Sequence, residues 1–152
     1  MNLKNGFTLF ELLTIIAIAA ILLLISIPAY QKLLPQLKLQ TAAREITGLL
    51  RQAQQNTVTE QITYLVKFNS QNKEYQLIKR EYPESQPPID TVIETKQLDS
   101  DLTFSQTTFS QSEALFNTAG AVSEAGSVTI SLTDGRQKTI EVRPAGFINI
   151  VE

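Results

Sequence analysis

Met1-Asn2-Leu3-Lys4-Asn5-Gly6-Phe7-Thr8-Leu9-Phe10-Glu11-Leu12-Leu13-Thr14 opens the chain, and the residues that follow keep it apolar as far as Ile27. A short polar leader with one lysine ends at Gly6. From Phe7 the run is interrupted by a single charge, Glu11, and Pro28 comes after it. At 1.5 Å per residue, a helix from Phe7 to about Ala29 spans roughly 30–35 Å, enough to cross a hydrocarbon core. The sequence therefore predicts one membrane span at its beginning.

Glu11 is the residue such a span has to account for, since a carboxylate at its centre costs about 2.5–3.5 kcal/mol even on lenient insertion scales. Two accounts compete on physics alone. In the first, Thr8 and Glu11 form a capping box, with Phe7 and Leu12 as its hydrophobic staple, and Glu11 only satisfies amides at the helix start. In the second, Glu11 pairs with a positive charge from another chain, and a new amino terminus cut free after Gly6 is the nearest source. Both stay open at this point.

Lys4-Asn5-Gly6 followed by Phe7-Thr8-Leu9-Phe10-Glu11 resembles the leader and processing site of type IV prepilins and type II secretion pseudopilins. The resemblance requires Gly at the junction, Phe after it, Glu four residues further on and a spanning apolar run behind them; Phe10 stands where the family more often has an aliphatic residue. It implies cleavage by prepilin peptidase between Gly6 and Phe7, N-methylation of Phe7, and a role for Glu11 in orienting a neighbouring subunit's amine during assembly. It also implies an inner-membrane, single-pass protein whose C-terminal domain is periplasmic and which later joins other pilins or pseudopilins in a filament. Lys4 and the initiating amine, set against Lys32, Lys38 and Arg44 beyond the span, give a positive-inside count that favours the opposite orientation; the processing motif decides the expectation here.

Composition excludes several function classes. With 152 residues, 43% hydrophobic and 18% charged, the chain is one domain plus an anchor and not a disordered composition. It contains no cysteine, so neither a disulfide nor a thiolate metal site can form. It has no histidine, which removes the usual general base and metal ligand. The expectation is a non-enzyme without cofactor. Asp99-Ser100-Asp101 offers two carboxylates, but the glycine and further acids of a dedicated calcium loop are missing nearby, so no metal is expected.

Four segments are predicted: a leader at 1–6, a transmembrane and assembly half-helix at 7–29, an amphipathic half-helix at 30–57 and a β-rich globular domain at 58–152. Pro28 is read as a bend inside a continuing helix, the competing reading being that it ends the span. Pro28 with Tyr30 also resembles a feature of the family. Ala42, Ile46, Leu49, Leu50 and Ala53 recur at helical spacing opposite Lys38, Arg44, Arg51, Gln52 and Gln55. Gly48 either weakens this helix or marks close packing against a strand.

After Thr57 the pattern turns to strands. Ile62 to Phe68 alternates, Asn69 to Asn72 is turn chemistry, and Tyr75 to Lys79 returns as a hairpin. Tyr82 to Pro88 reads as a proline-rich surface loop. Strands are expected near Thr91 to Leu98, Leu102 to Phe104 and Glu113 to Phe116, with Ser105 to Ser112 polar and exposed. Leu115-Phe116 to Gly120, Gly126 to Leu132, the Asp134-Gly135 turn, Ile140 to Val142 and Gly146 to Ile150 resemble the C-terminal domain of the GspH/FimT-type minor pseudopilins and minor pilins. Asp134-Gly135 is read as a two-residue hairpin turn with positive φ.

The expected fold is thus α+β and type IV pilin-like: a long N-terminal helix packed on a C-terminal antiparallel β-sheet or sandwich. The implied function is a structural subunit of a type II secretion pseudopilus or a type IV pilus. Alternatives are a DNA-binding minor pilin for DNA uptake, and a plain single-span membrane protein. For DNA the only candidates are Arg136, Lys138 and Arg143. From Val58 onward, 8 Lys and Arg stand against 13 Asp and Glu, a balance of −5 that disfavours phosphate binding.

Overall fold

A computed structural model describes residues 7–151 except Ser85, and leaves the side chains of Pro28, Ala29 and Lys32 undescribed. Among the described residues one α-helix, α1, runs Leu9–Glu60, and eight strands follow, with a single 3-10 turn at Ser110–Ser112: β1 (Thr63–Asn69), β2 (Glu74–Glu81), β3 (Ile89–Gln97), β4 (Leu102–Thr107), β5 (Glu113–Leu115), β6 (Gly126–Leu132), β7 (Gln137–Val142) and β8 (Ile148–Val151). The chain divides into two units, Met1–Gln36 and Leu37–Glu152.

In the first unit α1 is helical from Leu9 and stays helical through Pro28, so that proline does not end the helix, although the apolar stretch stops just before it at Ile27. Leu9–Ile27 is long and apolar enough to cross a membrane, and none of it is buried in the protein.

In the second unit, α1 extends past the expected end at Thr57. Gln61, at φ 57°, then stops it in the left-handed conformation, with its N–H donating to Thr57 O at 3.0 Å. Thr57 joins helix to sheet: its hydroxyl donates to Ala53 O at 2.9 Å and accepts from Tyr64 N–H at 2.9 Å. The predicted apolar face is buried, with Ala43, Ile46, Leu50 and Ala53 all at 0% exposure. Gly48 is exposed and a Cβ there would meet nothing within 4 Å. It is a helix-weakening glycine, and the close-packing reading fails.

Two four-stranded antiparallel sheets cover this face, one in the order β3-β2-β1-β5 and the other β4-β6-β7-β8. Alternation explains which side chains turn inward. Tyr64, Val66, Phe68, Tyr75 and Leu77 of the first sheet share one core with Phe104, Val128, Ile130, Ile140 and Val142 of the second and with the helix face. Phe68 meets Phe104 edge-on, with centroids 5.7 Å apart, and stacks on Phe109 at 6.0 Å. Buried Phe109 corrects the expectation that Ser105 to Ser112 is simply exposed: β4 continues to Thr107, and the aromatic at the following turn is drawn into the core.

Leu65 and Ile78 alternate with core residues, lie outside the core cluster, and are still 0% and 4% exposed. Arg80 crosses their side of the sheet. Its Nε donates to Asp90 at 2.6 Å and its Nη1 to Glu113 at 2.9 Å, while Lys67 holds the other Glu113 oxygen at 3.0 Å. The arginine stem thereby shields apolar surface that the helix does not reach.

The Asp134-Gly135 turn also differs from expectation. Only Gly135 has positive φ, 91°. Its N–H donates to Leu132 O at 3.1 Å, and Leu132 N–H donates to Arg136 O at 2.8 Å. This is a three-residue loop with glycine at the bulge position.

Candidate functional site: the helix start and its carboxylate

Thr8 caps α1: its hydroxyl accepts from Glu11 N–H at 3.2 Å, and its carbonyl accepts from Leu12 N–H at 3.2 Å. Half of the capping box is therefore formed. The reciprocal half is not, because the Glu11 carboxylate has no partner among the described residues, and Phe7 and Leu12 are 73% and 50% exposed. Its place in the first turn favours a negative charge through the helix dipole. The other polar side chains here behave differently. Thr14 hydroxyl donates to Phe10 O at 2.8 Å and Ser26 hydroxyl to Leu22 O at 2.7 Å, so both are satisfied inside the helix. Among the described residues of the span, only Glu11 would need something from outside in a hydrocarbon environment.

Of the other predicted site residues, Gly6 lies outside the described residues, and Pro28 sits within α1. Two of the DNA candidates, Arg136 and Arg143, are not brought together, and Lys138 lies between them on β7. Arg136 and Arg143 flank β7 at opposite ends, roughly 23 Å apart at about 3.3 Å per residue. Arg136 pairs with Asp134 at 2.6 Å and Arg143 with Glu141 at 3.4 Å. Asp99 and Asp101 converge, but on a protein cation: Lys38 Nζ lies 3.1 Å from Asp99 and 2.8 Å from Asp101. Both carboxyls are held below their ordinary range, first by the Lys38 hydrogen bond. Among the described residues no group of three or more Asp, Glu, His or Cys side chains is placed to hold a metal.

One residue went unnoticed in the sequence. Gln54 Nε2 donates to Gly120 O at 2.5 Å and to Gly146 O at 3.1 Å, clasping two loops of the β domain to the helix. Both glycines have positive φ, 82° and 80°. The signal was present, since Gln54 lies four and eight residues after Leu50 and Ile46, a polar side chain at an apolar position.

A span-length apolar helix with a carboxylate in its first turn, continued by an antiparallel β domain, defines the type IV pilin-like class of protein. The family model for the type II transport protein GspH matches residues 42–146, and that for the prokaryotic N-terminal methylation motif matches residues 1–27. The chain belongs to the GspH family of pilin-like proteins. The minor pseudopilin EpsH from the type 2 secretion system of Vibrio cholerae is similar in structure, with TM-score 0.61 at 9% identity over 75% of this chain and 96% of that one. The type IV minor pilin FimU of Pseudomonas aeruginosa gives TM-score 0.60 at 17% identity over 78% and 91%. At such identities the likeness is one of fold. Comparison with curated proteins finds no match.

Proposed function

We propose that this chain is a structural filament subunit, a minor pilin or pseudopilin made as a precursor. Prepilin peptidase removes 1–6, cutting between Gly6 and Phe7, and methylates the new Phe7 amine. The half-helix 7–29 then holds the protein in the cytoplasmic membrane, with 30–57 and the β domain 58–152 on the far side. Assembly into a type II secretion pseudopilus or a type IV pilus packs the apolar segment among those of neighbouring subunits. There Glu11 meets the Phe7 amine of another copy or another pilin, which fixes register because a mispaired buried charge is penalised. No catalytic step is assigned to it.

The observation that carries this reading is the Glu11 carboxylate, without a partner among the described residues, in a segment where the Thr14 and Ser26 hydroxyls are satisfied internally. The test is the intact mass and N-terminal sequence of protein recovered from membranes with and without an active prepilin peptidase, together with Glu11→Ala. A peptidase-dependent start at Phe7, with Glu11→Ala still cleaved but absent from filaments, is expected. An unprocessed Met1 in both hosts, or normal incorporation of Glu11→Ala, refutes it.

A further inference from the structure

Among the described side chains, the cations of this protein are held within the chain, with two exceptions. Lys38, Lys67, Arg80, Arg136 and Arg143 are paired as described above. Lys79 pairs with Glu81 at 2.8 Å and Lys96 with Glu94 at 3.4 Å, Lys73 donates to Ser100 O at 2.8 Å, and Lys138 is not free either. Arg44 and Arg51 are the exceptions: both are exposed on α1, and neither has a hydrogen bond or ion pair among the described residues. The acid beside Arg44 is already engaged, since the Tyr75 hydroxyl donates to Glu45 at 3.3 Å.

Helical phase puts the two arginines on one ridge. At 3.6 residues per turn, Arg44, Gly48, Arg51 and Gln55 fall within about 60° of one another, opposite buried Ile46, Leu50 and Ala53. Arg44 and Arg51 are two turns apart, about 10.5 Å along the axis. Between them stands Gly48, exposed, where a Cβ would meet nothing within 4 Å. Nothing in its own chain calls for glycine there, and alanine would suit the helix better. What a glycine on a solvent ridge permits is close approach from outside, nearer than the roughly 8–10 Å that side chains impose between helix axes.

We propose that this ridge docks a helix of a neighbouring pilin-like subunit, one that carries Asp or Glu two turns apart and runs beside α1 at Gly48. The inference rests on the filament reading, which supplies the neighbour. Two helices that leave one membrane run in the same direction, so neither chain has to be reversed. Carboxylates seven residues apart on the partner then match the spacing of Arg44 and Arg51, whose planar forks suit carboxylates. Gly48 lets the two backbones come close enough for both pairs to form. A nucleic acid or an anionic bilayer fits less well, because from Val58 onward 8 Lys and Arg face 13 Asp and Glu, a balance of −5, and neither surface has a use for the glycine.

Photoreactive benzoylphenylalanine replacing Gln55, on the same ridge, tests this in the full-length chain, in membranes of a host that makes the other pilin-like subunits. The expected adduct joins the chain to one of those subunits, within a helix bearing two carboxylates two turns apart. Arg44→Glu with Arg51→Glu should cut the adduct about tenfold or more, since like charges then face each other, and charge reversal at the two mapped acids should restore it. Gly48→Leu should cut it as far by holding the helices apart. It should leave the fold at least as stable, because leucine is the better helix former and its Cβ has nothing within 4 Å. A glycine of purely structural use would not separate docking from stability in this way. The near-ultraviolet circular dichroism of buried Tyr75 checks that each variant is folded. N-terminal sequencing of the same sample keeps the two readings apart, since an unprocessed Met1 refutes both. A Phe7 start with no adduct to a pilin-like subunit refutes the docking alone. So does an adduct unchanged by the arginine reversal or by Gly48→Leu in folded protein, or one formed only with lipid, nucleic acid or an unrelated protein.

Discussion

Gly146→Ala perturbs the junction where Gln54 holds two loops. At φ 80° an alanine adopts the left-handed region at a cost of about 1–2 kcal/mol. Space adds to this: the new Cβ would stand 2.2 Å from Gly120 O and 2.3 Å from Gln54 Nε2, and one of these neighbours is backbone. The loops must part and Gln54 loses its bonds to both carbonyls, at about 1 kcal/mol each. The total is about 3–4 kcal/mol. Gly135→Ala is the matched control, with φ 91° and nothing within 4 Å of its Cβ, so it carries only the conformational cost of about 1–2 kcal/mol. The difference of about 2 kcal/mol corresponds to roughly 6–10 °C in the melting temperature of a domain this size. Thermal melts followed through the near-ultraviolet signal of Tyr75 measure it. Equal destabilisation by the two alanines would refute the clasp.

Gly48→Ala should stabilise the helix, by up to about 1 kcal/mol, since the glycine is exposed, helix-interior and free of neighbours; the same melts read it, and destabilisation would mean the site is crowded. Asp90, Asp99, Asp101 and Asp134 all sit below their ordinary value of 3.8, held by hydrogen bonds from Arg80, Lys38, Lys38 and Arg136 respectively. A depressed carboxyl contributes stability that is fully present above 3.8 and is lost as pH falls through its lowered value. Melting temperature should therefore be flat from about pH 5 to 8, where no histidine titrates, and fall below pH 4. Lys38→Met should make that acid limb shallower, and an unchanged limb would show that Lys38 does not hold the two aspartates.

What the sequence made legible was whatever follows from periodicity and from local chemistry. The apolar face from Ala42 to Ala53, the β1–β2 hairpin and the Gly126 to Leu132 strand are all of that kind. Asn69 even makes the expected turn bonds, its Oδ1 accepting from Gln71 and Asn72 N–H at 3.1 and 3.2 Å. What escaped depends on residues distant in sequence. Phe109 sits in a polar stretch and is buried because Phe68 and the Gly126 backbone, from two other strands, meet its ring. Arg80 reads as an ordinary strand-end cation until Asp90 and Glu113 flank it. Asp134-Gly135 carries a two-residue turn signal, but the register of β6 with β7 leaves room for a three-residue loop. At the candidate site, Thr8 and Glu11 spell a capping box, and only coordinates show that the carboxylate does not close it.

The Gln54 clasp also orders events in time. Its two bonds span 66 and 92 residues of chain, far longer than the hairpin contacts between β1 and β2. Closing loops of that length costs chain entropy that only late contacts repay, so the helix segment and the first hairpin can form while the clasp waits for Gly146. Gly146 lies just ahead of β8. A chain emerging from its amino terminus can therefore hold the Gly120 loop to the helix first and closes the second bond of the clasp only once residue 146 has been delivered.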